Sequence, residues 1–163
     1  MWGEAMFERM KRELAGNVSV SSPADQEIII STLQSLYTDE WQLATQLRAH
    51  AERLRYPQYQ QRVKILSDEK QEHVQRLAKK IAELGGTVPQ TTPTVKDGRN
   101  DYQRLLGDLE DEKLLVSKYL HEAYKMDDYD HDTAELLLKI RKKEKDHQAT
   151  LTDILMRTDR YGI

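Results

Sequence analysis

Apolar residues recur every three or four positions along four long stretches of the chain, and each recurrence predicts an amphipathic α-helix. In the first stretch Ile29, Leu33, Leu36, Glu40, Leu43, Leu47, His50 and Leu54 follow one another in alternating steps of four and three. It opens with Ser22 as an N-cap, Pro23 at the first helical position and acids behind it. The second stretch begins near Pro57 and is stopped by Gly85 and Gly86. The third carries Tyr102, Leu105, Leu109, Glu112, Val116, Tyr119, Ala123 and Met126 on one face. "DDYDHD" interrupts it, and Asp132 with Glu135 reads as a capping box for the fourth helix. The fourth seam is Leu137, Ile140, Glu144, His147, Leu151 and Ile154.

Between the second and third stretches "TVPQTTPTVKDG" has no periodicity and reads as an irregular crossover. Two helices, a long connection and two more helices make an all-α fold, a four-helix bundle with one crossover. A shorter amphipathic segment precedes it, with Trp2, Met6, Met10 and Leu14 on one side. It is expected to dock on the bundle or on a neighbouring subunit. The chain thus divides into an N-terminal helix and linker over 1–20, a bundle over 21–158 and a tail over 159–163.

Composition narrows the function classes. Charged residues make up 33% and apolar ones 38%, with four Pro and seven Gly, which suits a helix-rich chain with charged outer faces. The 28 acids and 25 bases give a net charge of −3, too balanced to indicate nucleic acid or an anionic membrane as partner. The cluster Lys139, Arg141, Lys142, Lys143 and Lys145 is interleaved with core positions and reads as a solvated face or subunit salt bridges. No apolar run approaches the roughly 18 residues of a membrane span, and the N-terminus lacks the apolar core of a signal peptide, so a cytoplasmic protein is expected. The absence of Cys excludes disulfides, thiol nucleophiles and thiolate-bound zinc.

Three seams carry a carboxylate where the repeat calls for an apolar residue: Glu40, Glu112 and Glu144. An unpaired buried carboxylate costs several kcal/mol, so each requires a cation or strong donors. His147 follows Glu144 by three and shares its face. The halves also resemble each other. "YTDEWQLATQLRAHAERL" lies on "LEDEKLLVSKYLHEAYKM" with Glu40 on Glu112, and "SDEKQEHVQRLAKKI" lies on "RKKEKDHQATLTDIL" with His73 on His147. Helix pairs that each bring a Glu, then a Glu and a His, supply the ligands of a carboxylate-bridged metal pair. Oxygen and imidazole donors without thiolate suit iron or manganese, with zinc also compatible.

The first half departs from the ideal, because Lys70 stands three residues before His73. Glu69, four before it, lies only about 40° from His73 on a helix, and one extra residue accommodated as a π-bulge would bring it inward. Lys70 in that place would instead neutralise a carboxylate and remove one metal. Glu69 is the expected ligand, with Lys70 the competing reading.

Taken with "LYTDEWQLA", "RAHA", "HVQRLAKKIAELGGTVP", "LGDLEDEKLL" and "ELLLKIRKKEKDH", the chain resembles the ferritin-like superfamily, in its bacterioferritin and Dps-like branch, over about residues 30–155. The resemblance implies a non-haem di-iron centre that binds Fe(II) and oxidises it with dioxygen or hydrogen peroxide, in a homo-oligomer. It carries over the ligands Glu40, His73, Glu112, Glu144 and His147, with Glu69 as the sixth. Glu40 and Glu112 would be terminal, Glu69 and Glu144 bridging. No haem is expected, since "EKQEH" lacks the Met that would ligate it. Two other functions stay open: a non-catalytic assembly module whose site Lys70 has degraded, and a di-metal oxidase or manganese catalase on the same ligands. Tyr119 is placed to hydrogen-bond a ligand carboxylate, or simply to pack, and His50 reads as a satisfied core histidine.

Overall fold

The computed structural model describes residues 3–6 and 22–162. Four helices build the bundle: α1 (Pro23–Arg53), α2 (Pro57–Glu83), α3 (Asp101–Asp127) and α4 (His131–Arg157). Residues 3–6 are helical with Met6 exposed, while Trp2, Met10 and Leu14 of the N-terminal seam lie outside the described residues.

Local chemistry sets the helix ends. Ser22 Oγ accepts the Asp25 amide at 3.1 Å and Asn100 Oδ1 accepts that of Gln103 at 2.8 Å, so α1 and α3 each begin at a side-chain cap. α4 differs from the capping box expected at Asp132. Its N-cap is Asp130, whose carboxylate is taken by the Thr133 hydroxyl, and Asp132 falls inside the first turn. There its charge still complements the helix N-terminus. α2 ends where Gly85 adopts φ of 83°, a conformation that favours glycine. A Cβ on the following Gly86 would lie 2.7 Å from Ile30 Cγ2, so the chain leaves α2 pressed against α1.

The short α1–α2 and α3–α4 turns force antiparallel pairs. α1 packs on α3 and α2 on α4, closing the bundle. Every member of the four-and-three seam on α1 is buried, as are all of the α4 seam and all of the α3 seam except half-buried Tyr102. The connection between α2 and α3 runs up the outside of α1. Gln34 donates to the Thr87 carbonyl at 2.7 Å, and Gln42 pairs with both the amide and the carbonyl of Thr94. The Lys96 amide donates to Gln46 Oε1 at 3.1 Å, and Arg53 pairs with Asp97. Irregular backbone is thereby supplied with hydrogen bonds by amide side chains of the helix it crosses. None of the helices is long and apolar enough to cross a membrane, among the described residues.

Candidate metal centre

Each helix brings a polar residue to the middle of the core: Glu40 from α1, Lys70 and His73 from α2, Glu112 from α3, and Glu144 and His147 from α4. Glu40, Glu112, Glu144 and Lys70 are completely buried and the two histidines nearly so. The ammonium of Lys70 lies at the focus of this set. It donates to Glu144 Oε2 and lies 3.3 Å from Glu40 Oε1 and 2.8 Å from Glu112 Oε2. His73 Nδ1 donates to Glu144 Oε1 at 2.8 Å and lies 3.4 Å from Glu40 Oε1. His147 Nδ1 lies 3.2 Å from Glu144 Oε2, the oxygen that Lys70 grips. The two imidazole rings stack with centroids 5.8 Å apart.

Five of the six residues expected as ligands therefore meet at one point, and Glu69 does not join them. α2 is unbroken α-helix through this region, with no π-bulge to turn Glu69 inward. Its side chain stays 28% exposed at the rim, accepting from Lys143 and hydrogen-bonded at 2.6 Å to His147 Nε2. A carboxylate on the outer nitrogen of a buried imidazole orients the ring and its inward nitrogen. The sequence held a signal for Lys70 that counts only on an unbroken helix. Val63, Leu66, Lys70, His73 and Leu77 continue the four-and-three rhythm along α2, and all are buried, whereas Glu69 is out of phase. Glu72 is exposed, as its angular distance from His73 requires.

Tyr119 completes the inner set, its hydroxyl donating to Glu40 Oε2 at 2.6 Å. That leaves Glu40 Oε1 to face Lys70 and His73. Burial pushes the phenol well above its ordinary pKa, and the neighbouring carboxylates add to the effect. Burial also raises Glu40 and Glu112, against the lowering pull of Lys70. On Glu144 the opposite balance holds: burial is outweighed by Lys70 and by donors, and the carboxyl sits well below the usual range. Lys70 is raised above an ordinary lysine because the charges of Glu40, Glu112 and Glu144 overcome its burial. His73 is pushed up to about 9, burial being overcome by its hydrogen bonds to Glu144 and Glu40. The centre thus balances its carboxylates with two internal cations.

Two groups of donors are close enough to hold an ion, Glu40–His73–Glu144 and Glu112–Glu144–His147, and they share Glu144. Lys70 stands on the Glu112–Glu144 Oε2 side. Both Glu112 oxygens are buried without a directed hydrogen bond, although one lies 2.8 Å from the ammonium, so acceptor capacity remains. Oxygen and imidazole donors fit a hard or borderline divalent ion, but the ammonium among them does not fit a second.

His50, read from the sequence as a satisfied core histidine, is one: its nitrogens engage Asp108 Oδ2 at 2.7 Å and the Lys96 carbonyl at 2.6 Å. Asp108 itself escaped the sequence reading, although it lies one turn before Glu112 on the inner face of α3. Of the basic cluster on α4, the lysines are exposed, with Lys143 on Glu69, and Arg141 turns back to donate to the Val116 carbonyl at 3.2 Å.

Among known protein families, the ferritin-like domain matches residues 30–161. No curated protein matches the chain. Among solved structures, a dodecameric thioferritin, the bacterioferritin-related protein of Bacteroides fragilis, superposes with a TM-score of 0.73 at 19% identity, over 81% of this chain and 86% of that one. The bacterioferritin of Desulfovibrio desulfuricans, described with a di-iron site, gives 0.72 at 18% identity over 82% and 81%. A Dps1 variant of Mycobacterium smegmatis gives 0.74 at 15% identity over 82% and 99%. At these identities the likeness is one of fold.

Proposed function

The chain belongs to the ferritin-like domain family, and from that premise we propose that it is an iron-handling bundle whose centre takes one Fe(II) beside a built-in lysine cation. The observation that carries this is Lys70, whose ammonium lies among Glu40, Glu112 and Glu144. Charge makes the argument quantitative. Four carboxylates balance two divalent ions, whereas three carboxylates and one ammonium balance a single one. A lysine in place of a glutamate shifts the local charge by the equivalent of one divalent ion.

Glu40 Oε1, Glu144 Oε1 and His73 Nδ1 would hold that ion, with Lys70 remaining on the side of Glu112 and Glu144 Oε2. The ion would replace the proton that His73 now donates to Glu144. Glu69 would serve outside the ligand set, by orienting His147. Manganese and zinc share these donor preferences and are the competitors to exclude. Homo-oligomeric assembly and a cytoplasmic setting belong to the same reading. Oxidation of Fe(II) by dioxygen or hydrogen peroxide at a metal pair would require a carboxylate in place of Lys70.

A second reading rests on the same contacts: Lys70 and His73 already serve the buried carboxylates, so the bundle holds together as an assembly module without metal. Iron per chain after anaerobic Fe(II) loading and desalting separates the two. About one iron in the native chain and about two in Lys70→Glu are expected. Two in the native chain overturn the proposal, and none in the native chain leaves the assembly module.

A further inference from the structure

The crossover is fastened to α1 mostly by neutral amides, but at Lys96 the fastening depends on a charge. His50 is buried, and both of its ring nitrogens face acceptors, Asp108 Oδ2 at 2.7 Å and the Lys96 carbonyl at 2.6 Å. Only an imidazolium carries protons on both nitrogens. We propose that His50 is a proton-operated latch: charged, it ties the crossover at Lys96 to α1 and α3, and neutral, it lets that stretch go.

Neutral imidazole keeps one proton, and Asp108, a fully buried carboxylate, claims it at Nδ1. The lone pair on Nε2 then faces the Lys96 carbonyl oxygen across 2.6 Å, and attraction becomes repulsion. The charged surroundings set the direction. α3 presents Asp108 and Arg104, and its Asp111 is bound by the Lys96 ammonium and by Gln46. α1 contributes Gln46, which also donates to Asp108 Oδ1 at 2.8 Å, and Arg53, which is engaged with Asp97 of the crossover. α2 offers Asp68 only to exposed Arg48. Burial lowers the His50 pKa and Arg104 opposes its charge, yet the hydrogen bond and charge of Asp108, with the Lys96 carbonyl, leave it raised. The latch is therefore closed below the His50 titration and opens as pH rises through it, at a higher pH than an ordinary histidine would allow.

Lys96 is also one wall of a cleft of about 210 Å³ between α1, α3 and the crossover, with Asp39, Gln42, Asp111 and Lys118, so releasing that stretch frees a wall of the cleft. Asp39 and Asp111 adjoin Glu40 and Glu112 in sequence, so the latch acts on the outer side of the two helices that carry those carboxylates. It requires no ion in the centre.

Amide exchange by NMR, corrected for intrinsic rates, tests the proposal at Thr94 and Lys96, whose N–H groups donate to Gln42 and Gln46. The His50 ring is titrated in the same samples. Loss of a charge-assisted hydrogen bond predicts that protection at Lys96 falls roughly tenfold or more as pH rises through the His50 titration. His50→Gln should show no such dependence. Protection that does not change with pH, a fall that persists in His50→Gln, or a ring that titrates below an ordinary histidine would each overturn the latch. The last measurement needs only the native chain, so it decides even if the variant does not fold.

Discussion

Lys70 on α2 and Glu144 on α4 stand at equivalent places in the two helix pairs, each three residues before a buried histidine, and their side chains meet as an ion pair at the centre of the bundle. A two-fold repeat that would bring two like charges together instead brings opposite ones. The pair is enclosed by Glu40 and Glu112, so the lysine serves three carboxylates at once.

Removing the ammonium should expose that dependence. Lys70→Met keeps the volume but takes the ammonium from three buried carboxylates, of which His73 reaches only Glu40 and Glu144, and is expected to cost roughly 3–5 kcal/mol in urea denaturation of the metal-free protein. Exchanging the charges, Lys70→Glu with Glu144→Lys, should recover part of the loss of either single change. A coupling energy of about 2 kcal/mol in the double-mutant cycle is the expected outcome. A coupling near zero would mean that the two side chains do not act as a pair.

Tyr119→Phe removes the donor to Glu40 Oε2 without changing shape. The carboxylate oxygen left in the core should cost about 1–3 kcal/mol. Denaturation measures the loss. Divalent-ion affinity should fall as well, because Glu40 would no longer be held with Oε1 toward His73.

The His73 pKa of about 9 makes stability depend on pH, with a definite sign. A raised folded-state pKa means that the contribution is complete below the unfolded value of about 6.5 and is lost as pH rises through about 9. The wild type should lose roughly 2–3 kcal/mol more across that window than His73→Gln, and the comparison cancels the parallel titration of His50. Divalent-ion binding should move the other way, tightening with pH as the competing proton leaves.

Gly85 holds a positive φ at the end of α2. Gly85→Ala is expected to lower stability by about 1 kcal/mol through that strained backbone, leaving ion binding unchanged. A change in iron per chain would show that the helix end and the centre are coupled.

The sequence by itself determined the four helices, their buried faces and the meeting of Glu40, Glu112, Glu144, His73 and His147. It could do so because residues seven apart share a helix face, and polar residues on such a face must find one another in the core. The family resemblance was legible for the same reason, in the paired Glu and Glu-plus-His pattern. Only the tertiary structure decided between Glu69 and Lys70. Adjacent residues differ by about 100° around a helix, and a single accommodated bulge would have exchanged their roles. An uninterrupted α2 puts Lys70 in phase with Val63, Leu66 and His73 and leaves Glu69 on the rim. The fastening of His50 to Asp108 and the Lys96 carbonyl was hidden from the sequence too, since it joins residues 46 and 58 positions apart through the path of an irregular segment, and no periodicity fixes that path.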